Sequence, residues 1–301
     1  MRVTLIHNPG AGAQAREDLE RLLGLLRGEG HEVRYCSCAD EGWAAALDEP
    51  ADLVAVAGGD GTVTRVAKRM RDAGRPMAIL PSGTANNVAR ALGMAELPLE
   101  DLVRGWKDAR RVKLDLGVAT GPWGERLFVE GIGAGLFACA VPQVDGSGTV
   151  DGIDRADARV AYALQLLREE LPRCAPVAVR ATLDGKPLSG SYVMFEALNL
   201  PYIGPNLHLA PDCTPGDGLL DVVLVGEPER ERLYENLKSW QADKPRLAVL
   251  PTHRGRRLVI EWDGFPLHID DTIWPQEGER APAAARIEAR IAGSAELLAP
   301  A

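Results

Sequence analysis

The chain has 301 residues, 46% of them hydrophobic and 26% charged, a globular composition that excludes a disordered chain. Its formal net charge of −9 supplies no net positive field for phosphate backbones, so no nucleic-acid partner is expected, although a local basic face could exist. The cysteines at 36, 38, 139, 174 and 213 form no CxxC pair, which excludes a zinc or disulfide framework and fits a reduced cytosol.

Single cores stop growing near about 250–300 residues, so the length predicts two domains. Arg2 to His7 is an apolar, β-branched strand followed by a glycine loop. Arg16 to Arg27 carries Leu19, Leu22, Leu23 and Leu26 on one helical face. His31 to Tyr35 reads as a second strand and Trp43 to Leu47 as a short helix. Asp52 to Ala57 is almost wholly apolar, as a strand covered on both faces should be. A second glycine loop leads into a helix with Val63, Val66, Ala67 and Met70 on one side, ending at Gly74. Pro76 to Leu80 is a fourth strand, and Thr84 to Leu92 a helix ending at Gly93. This alternation predicts an α/β N-terminal domain over residues 1–118, a parallel sheet with helices on both faces.

Past Val112 the pattern turns to strands: Val112 to Ala119, Arg126 to Gly131, Val177 to Leu183, Ser191 to Leu198, Leu219 to Val225, Arg257 to Trp262 and Leu267 to Ile269. Asp184-Gly185 and Asp263-Gly264 are hairpin signals. Helices interrupt near Asp157 to Glu170 and Glu229 to Ser239. Residues 119–285 therefore predict a β-rich, sandwich-like C-terminal domain. The tail, Arg286 to Leu298, reads as two more strands, and residues 286–301 could return to the first domain. No apolar run approaches the ~20 residues that cross a bilayer. No basic start with an apolar stretch opens the chain, so no signal peptide is expected and membrane contact would be peripheral. Two basic clusters stand out: Arg110, Arg111 and Lys113, and Arg254, Arg256 and Arg257.

The strongest motif is Gly58-Gly59-Asp60-Gly61-Thr62, between a buried strand and a helix. Glycines let the backbone approach a ligand closely, and the helix start offers free N–H groups, so the loop suits phosphate. A carboxylate there, Asp60, makes sense if Mg²⁺ sits with the phosphates or if it orients a nucleophile. The bland alternative is a tight turn with a helix cap. Two companions, Asn8-Pro9-Gly10-Ala11-Gly12 and Pro81-Ser82-Gly83-Thr84-Ala85-Asn86-Asn87, follow the first and fourth strands. In a parallel sheet all three loops share the edge where ligands of open α/β folds bind. Gly10 to Ala15 also fits GxGxxA, a dinucleotide fingerprint, but that pattern leaves the second loop unexplained. No GxxxxGK[ST] or GxSxG motif occurs.

Together these loops, Asp115 in VKLDLG, and Ala210-Pro211-Asp212 with Asp217-Gly218-Leu219-Leu220-Asp221 resemble the diacylglycerol kinase catalytic family, which includes bacterial lipid kinases and sphingosine kinases. GGDGT alone also occurs in NAD kinases; the third loop and the later Asp-Gly-Leu-Leu-Asp favour the lipid enzymes. The resemblance implies ATP and Mg²⁺ as cofactors. Its implied nucleotide-binding residues are Asn8, Gly10, Gly12, Ser37, Gly58, Gly59, Asp60, Gly61, Thr62, Ser82, Gly83, Thr84 and Asn86. It supports a structural metal held through Thr214, Asp217 and Leu219, against the plainer reading of a turn capped by Asp217. It implies in-line transfer of the γ-phosphate to a lipid hydroxyl such as that of diacylglycerol, with Asp270 taking the proton and Asp60 serving the metal or nucleophile.

Three departures accompany it. Arg65 and Asn87 stand where the family has Glu and Asp, and Asp270-Asp271-Thr272 stands for its Asp-Gly-Glu. Asp271 and Asp263 are weaker candidates for the catalytic carboxylate. A catalytically impaired nucleotide-binding regulatory protein and an NAD kinase are the competing readings. The expected partner is a lipid at the membrane surface, met by a cytoplasmic, peripherally associated protein, docked through Arg254 to Arg257; a homodimer is allowed. Ile132 to Phe137 and Leu200 to Leu209 could line an acyl-chain cleft or be ordinary core.

Overall fold

The computed structural model describes residues 1–10, 15–140, 153, 155–240, 248–276 and 278–301. It divides into two units, Met1–Leu116 with Gly293–Ala301, and Gly117–Ala292.

In the first unit the strands β1 (Arg2–His7), β2 (Glu32–Ser37), β3 (Leu53–Gly58) and β4 (Met77–Pro81) are all parallel, in the order β2-β1-β3-β4. All six residues of β3 are buried, as expected for a central parallel strand covered on both faces. The intervening helices are α1 (Ala15–Gly28), α2 (Asp60–Arg69) and α3 (Asn87–Ala91). The third is shorter than its apolar pattern suggested. Asn86 takes a left-handed backbone (φ 53°), and its side chain bonds both the N–H and the C=O of Gly83, which keeps residues 82–86 out of the helix. A further helix, α4 (Leu99–Gly105), was not anticipated. Its signals are Pro98 ahead of it and Glu100 and Asp101 in the first turn, and it buries Leu102 and Val103.

The later strands are β5 (Arg110–Gly121), β6 (Gly124–Phe128), β7 (Gly131–Gly135), β8 (Val177–Leu183), β9 (Lys186–Pro187), β10 (Gly190–Tyr192), β11 (Met194–Leu198), β12 (Tyr202–Ile203), β13 (Leu207–His208), β14 (Leu220–Val225), β15 (Thr252–Gly255), β16 (Arg257–Trp262), β17 (Leu267–Ile269), β18 (Thr272–Trp274) and β19 (Ala285–Ala299). Within the second unit, one antiparallel set runs β10-β8-β16 and the early part of β19. The other sheet runs β15-β14-β11-β7-β17-β18. The core contains Phe195, Ala197, Val222 and Leu224 from the second sheet and Val179, Ala181, Leu258 and Ile260 from the first. Met194, Leu198, Val223 and Val225 join a separate cluster with Leu164, Leu167, Leu233 and Leu237 of the helices Ala156–Glu170 and Arg230–Ser239. Alternate residues of β11 and β14 thus enter opposite layers, the period of two that a strand imposes.

Asp184 and Gly185 make a tight turn between β8 and β9, both with positive φ, as their sequence predicted. Asp263-Gly264 does not make a hairpin. It carries the chain from β16 in one sheet to β17 in the other, so the turn signal was local while the pairing was not. The tail is one strand, β19, rather than two. Its residues 285–290 pair with β16, and Leu297 pairs in parallel with Met77 of β4.

Candidate functional site

The loops after β1, β3 and β4 are tied together by their own polar groups. The N–H of Asn8 donates to the carbonyl of Ala57 at 2.9 Å, and its side chain donates to Thr62 Oγ1 at 3.2 Å. Asn8 Oδ1 also accepts the N–H of Gly10 at 3.0 Å. Ser82 N donates to the carbonyl of Gly58 at 3.2 Å. The second and third loops touch through Gly59 and Gly83. A Cβ on Gly83 would lie 2.3 Å from Gly59 Cα, so only glycine permits this approach.

Asp60 opens α2 and reaches the start of α3, where Oδ1 accepts the N–H of Val88 at 3.1 Å. Burial pushes its carboxyl up, and the backbone N–H groups of Asn87, Val88 and Asn86 oppose that shift. Asp60 therefore joins two phosphate-type loops before any ligand arrives.

The expected nucleotide residues separate by exposure. Gly10, Gly61, Ser82 and Thr84 are exposed. Asn8, Gly59, Asp60, Gly83 and Asn86 are half-buried and hold the loops together. Gly58, Thr62 and Ser37 are buried; Thr62 is bonded to Asn8, and Ser37 Oγ accepts the N–H of Ala39 at 3.2 Å. Gly12 lies outside the described residues. Arg65 lays its guanidinium over the Trp43 ring, 4.9 Å from the centroid, and Asn87 is buried.

In the second unit, Asp270 has a left-handed backbone (φ 51°). Its Oδ1 accepts the N–H groups of Val129 at 3.0 Å, Glu130 at 2.9 Å and Gly131 at 3.4 Å. Asp270 N returns a bond to the Gly131 carbonyl at 2.9 Å. Asp271 is exposed and accepts from Thr272 Oγ1 at 3.3 Å. Asp263 is exposed and paired with Arg180 at 3.2 Å. Sequence reasoning missed a buried pair beside Asp270: Glu196 and His268, 2.7 Å apart. The available signal was a charged residue and a histidine inside otherwise apolar strands.

The structural-metal set does not fit a divalent ion. Asp217 Oδ1 caps the N–H of Leu219 at 2.9 Å, and Oδ2 is ion-paired with Arg254. The same guanidinium lies 3.2 Å from the buried Asp221 carboxylate. Thr214 and Leu219 would offer only backbone carbonyls, so Asp217 is the one anionic ligand of the set. A guanidinium already pairs with that one carboxylate, and a dication would be repelled by it. EDTA should therefore leave the melting temperature unchanged. Arg254→Ala should destabilise by about 2 kcal/mol, less than for fully buried pairs because Arg254 is partly exposed, while Asp221 stays buried and unpaired. A rise in melting temperature on adding Mg²⁺ or Ca²⁺ to the wild type would refute this.

Four of the six basic residues in the two clusters are engaged, Arg254 as above. Arg111 pairs with Glu296 at 3.1 Å, Arg257 with Glu288 at 2.5 Å, and Arg110 donates to the Pro300 carbonyl at 3.0 Å. Ile132 and Ala134 sit in one core cluster, and Leu136, Phe137, Ile203, Leu207 and Leu209 in the other, so these side chains are core. No helix among the described residues is long and apolar enough to cross a membrane.

Residues 2–119 match the Diacylglycerol kinase catalytic domain family, and residues 143–287 match the YegS C-terminal NAD kinase beta sandwich-like domain family. A diacylglycerol kinase of Mycobacterium tuberculosis is 24% identical over 290 residues, covering 92% of this chain and 88% of the relative. One of Bacillus subtilis is 27% identical over 235 residues, covering 74% and 73%. A crystal structure of a Bacillus anthracis diacylglycerol kinase superposes with a TM-score of 0.67 at 18% identity, covering 99% of this chain and 96% of that one. Yeast NADH kinase complexed with NADH superposes at 0.57 and 10% identity, covering 100% and 84%. At these identities the two structures establish the fold.

Proposed function

We propose, for a chain whose residues 2–119 belong to the diacylglycerol kinase catalytic domain family and whose residues 143–287 belong to the YegS-type C-terminal sandwich family, that it is an ATP- and Mg²⁺-dependent lipid kinase acting on a hydroxyl such as that of diacylglycerol. The observation that carries this reading is the triple loop junction. Asn8 on Thr62, Ser82 on Gly58 and Asp60 on Val88 hold three glycine loops at one sheet edge. Gly10, Gly61, Ser82 and Thr84 are left exposed around them.

Donors fixed in advance need no reorganisation when charge develops on the phosphates, which is the main protein contribution to phosphoryl transfer. Exposed Ser82 and Thr84 hydroxyls and the N–H groups at the start of α2 are suited to bind phosphate oxygens. Mg²⁺, when bound, would neutralise charge on those oxygens. Asp60 is the carboxylate this chain retains for it, since Asn87 is neutral and Arg65 cationic. Mg²⁺ commonly takes one or two carboxylates, with phosphate oxygens and water completing its shell, so one acid fits an ion carried in on ATP. In the second unit Asp270 is assigned to accept the hydroxyl proton.

Calorimetry should show ATP binding in the presence of Mg²⁺ and no selective binding of NAD⁺. Labelled ATP should then phosphorylate diacylglycerol in mixed micelles. Selective NAD⁺ binding would favour the dinucleotide reading. Arg65 and Asn87 favour the second reading, a nucleotide-binding regulatory protein without catalysis; ATP binding with no transfer to any of a panel of lipids would establish that one instead.

A further inference from the structure

Gly133 sits in the middle of β7, in register with Glu196 on β11 at one side and His268 on β17 at the other. A Cβ on Gly133 would lie 1.9 Å from Glu196 Oε2. Only glycine leaves room for the two side chains to meet over the central strand. They meet at 2.7 Å, Oε2 to Nε2, with Glu196 0% and His268 1% exposed. The other ring nitrogen, Nδ1, lies 3.0 Å from the backbone carbonyl oxygen of Asp270.

A carbonyl oxygen can only accept, so Nδ1 carries a hydrogen. Nε2 and Glu196 then share one proton, as imidazolium with carboxylate or as neutral imidazole with carboxylic acid. Both forms make the same two hydrogen bonds, and both leave the pair neutral overall. Burial pushes the Glu196 carboxyl up; burial works against charge on His268, but Glu196 and Asp270 together outweigh that and hold the imidazole up.

The bond to the Asp270 carbonyl matters because of what else holds that residue. Its N–H donates to Gly131, and its carboxylate accepts from Val129, Glu130 and Gly131. The partner segment is itself anchored: Asn199 donates to the carbonyls of Val129 and Glu130, at 2.8 and 2.9 Å. His268 grips the peptide on the carbonyl side of the same left-handed residue. The ring thereby restrains the peptide that carries the Asp270 carbonyl, next to the side chain held by residues 129–131.

We propose that Glu196 and His268 are positioning residues for Asp270, an inference that rests on the reading of Asp270 as the acceptor of the hydroxyl proton. Buried ion pairs are often replaced by apolar residues without loss of stability, so packing and positioning can be separated by experiment. The Glu196→Leu/His268→Leu double variant should melt at or above the wild-type temperature. Its kcat on diacylglycerol in mixed micelles should fall at least about tenfold, with KM for ATP within about threefold, because a displaced reacting group loses rate and not nucleotide affinity. Glu196→Gln can donate to Nε2 while Nδ1 keeps its hydrogen, and it should retain kcat within about threefold. His268→Asn combined with Glu196→Gln, which leaves no buried carboxylate without its partner, places an amide N–H where Nδ1 stood; it should retain kcat within about tenfold and decides the matter if the Leu double variant does not fold. Wild-type kcat in a folded Leu double variant, or a loss of more than about tenfold in a folded Glu196→Gln/His268→Asn variant, would overturn the proposal. Asp270→Asn, run alongside, separates the two ideas. If it is active, the base assignment itself fails. If it is inactive while the double variant is fully active, only the positioning role fails.

Discussion

Asp270→Asn is expected to lower kcat by about 10²–10⁴-fold while ATP affinity stays within about threefold. The substitution is conservative in shape. Asn keeps a carbonyl oxygen where Oδ1 accepts the N–H groups of Val129 and Glu130. What it removes is the negative charge and the capacity to take a proton. Bonds that were charge-assisted become neutral ones, so stability should fall by only about 1 kcal/mol. Asp263→Asn is the matched control: exposed and paired with Arg180, it should change neither rate nor stability by more than about 0.5 kcal/mol. Asp271→Asn tests the neighbouring carboxylate, which is exposed and accepts from Thr272 Oγ1, and it should leave transfer close to the wild-type rate. Single-turnover transfer from labelled ATP, with calorimetry of ATP binding, reads both quantities. Wild-type transfer by Asp270→Asn would remove it from the reaction.

Gly83→Ala should weaken ATP binding by about 100-fold or more and lower the melting temperature. The added Cβ would meet Gly59 Cα at 2.3 Å and Asn86 Oδ1 at 3.0 Å. Gly59 cannot yield by rotating a side chain, because the obstacle is backbone. The two loops must separate, which strains the Ser82 N–H bond to Gly58 and the Asp60 bond to Val88. Overpacking of this kind costs about 1–3 kcal/mol in stability. The larger effect falls on binding, since phosphate needs N–H groups from both loops at once. Gly24→Ala in α1 is the control, because its Cβ would meet nothing within 4 Å. It should bind ATP normally and gain up to about 1 kcal/mol from helix propensity. Equal ATP affinity in Gly83→Ala and wild type would mean that the loops do not hold the nucleotide.

The parallel first unit and its three loops were legible in the residues alone. Each apolar strand ends at its own glycine loop, and each loop leads into a helix, so the evidence lies within about a dozen neighbouring positions and follows from periodicity and turn chemistry. The tight Asp184-Gly185 turn was legible for the same reason. Exposure within the loops was not: Thr62 looks like a ligand residue in the motif, yet it is buried against Asn8, 54 positions away.

Tertiary structure alone decided the rest. Asp263-Gly264 has hairpin composition, but the strands that follow and precede it pair in different sheets. Asp217 reads as a metal ligand until Arg254, 37 positions on, is brought beside it. Glu196 and His268 lie 72 positions apart and meet only because Gly133 lies in register between them. Such pairings are set by strand order and register, which satisfy buried polar groups across the sandwich; a short window can flag one unusual buried residue but not its partner. The sequence by itself determined where three glycine loops would meet at one sheet edge; the packing of the second unit determined that Asp217 and Asp263 are held by neighbouring arginines while Asp270 is held by backbone N–H groups.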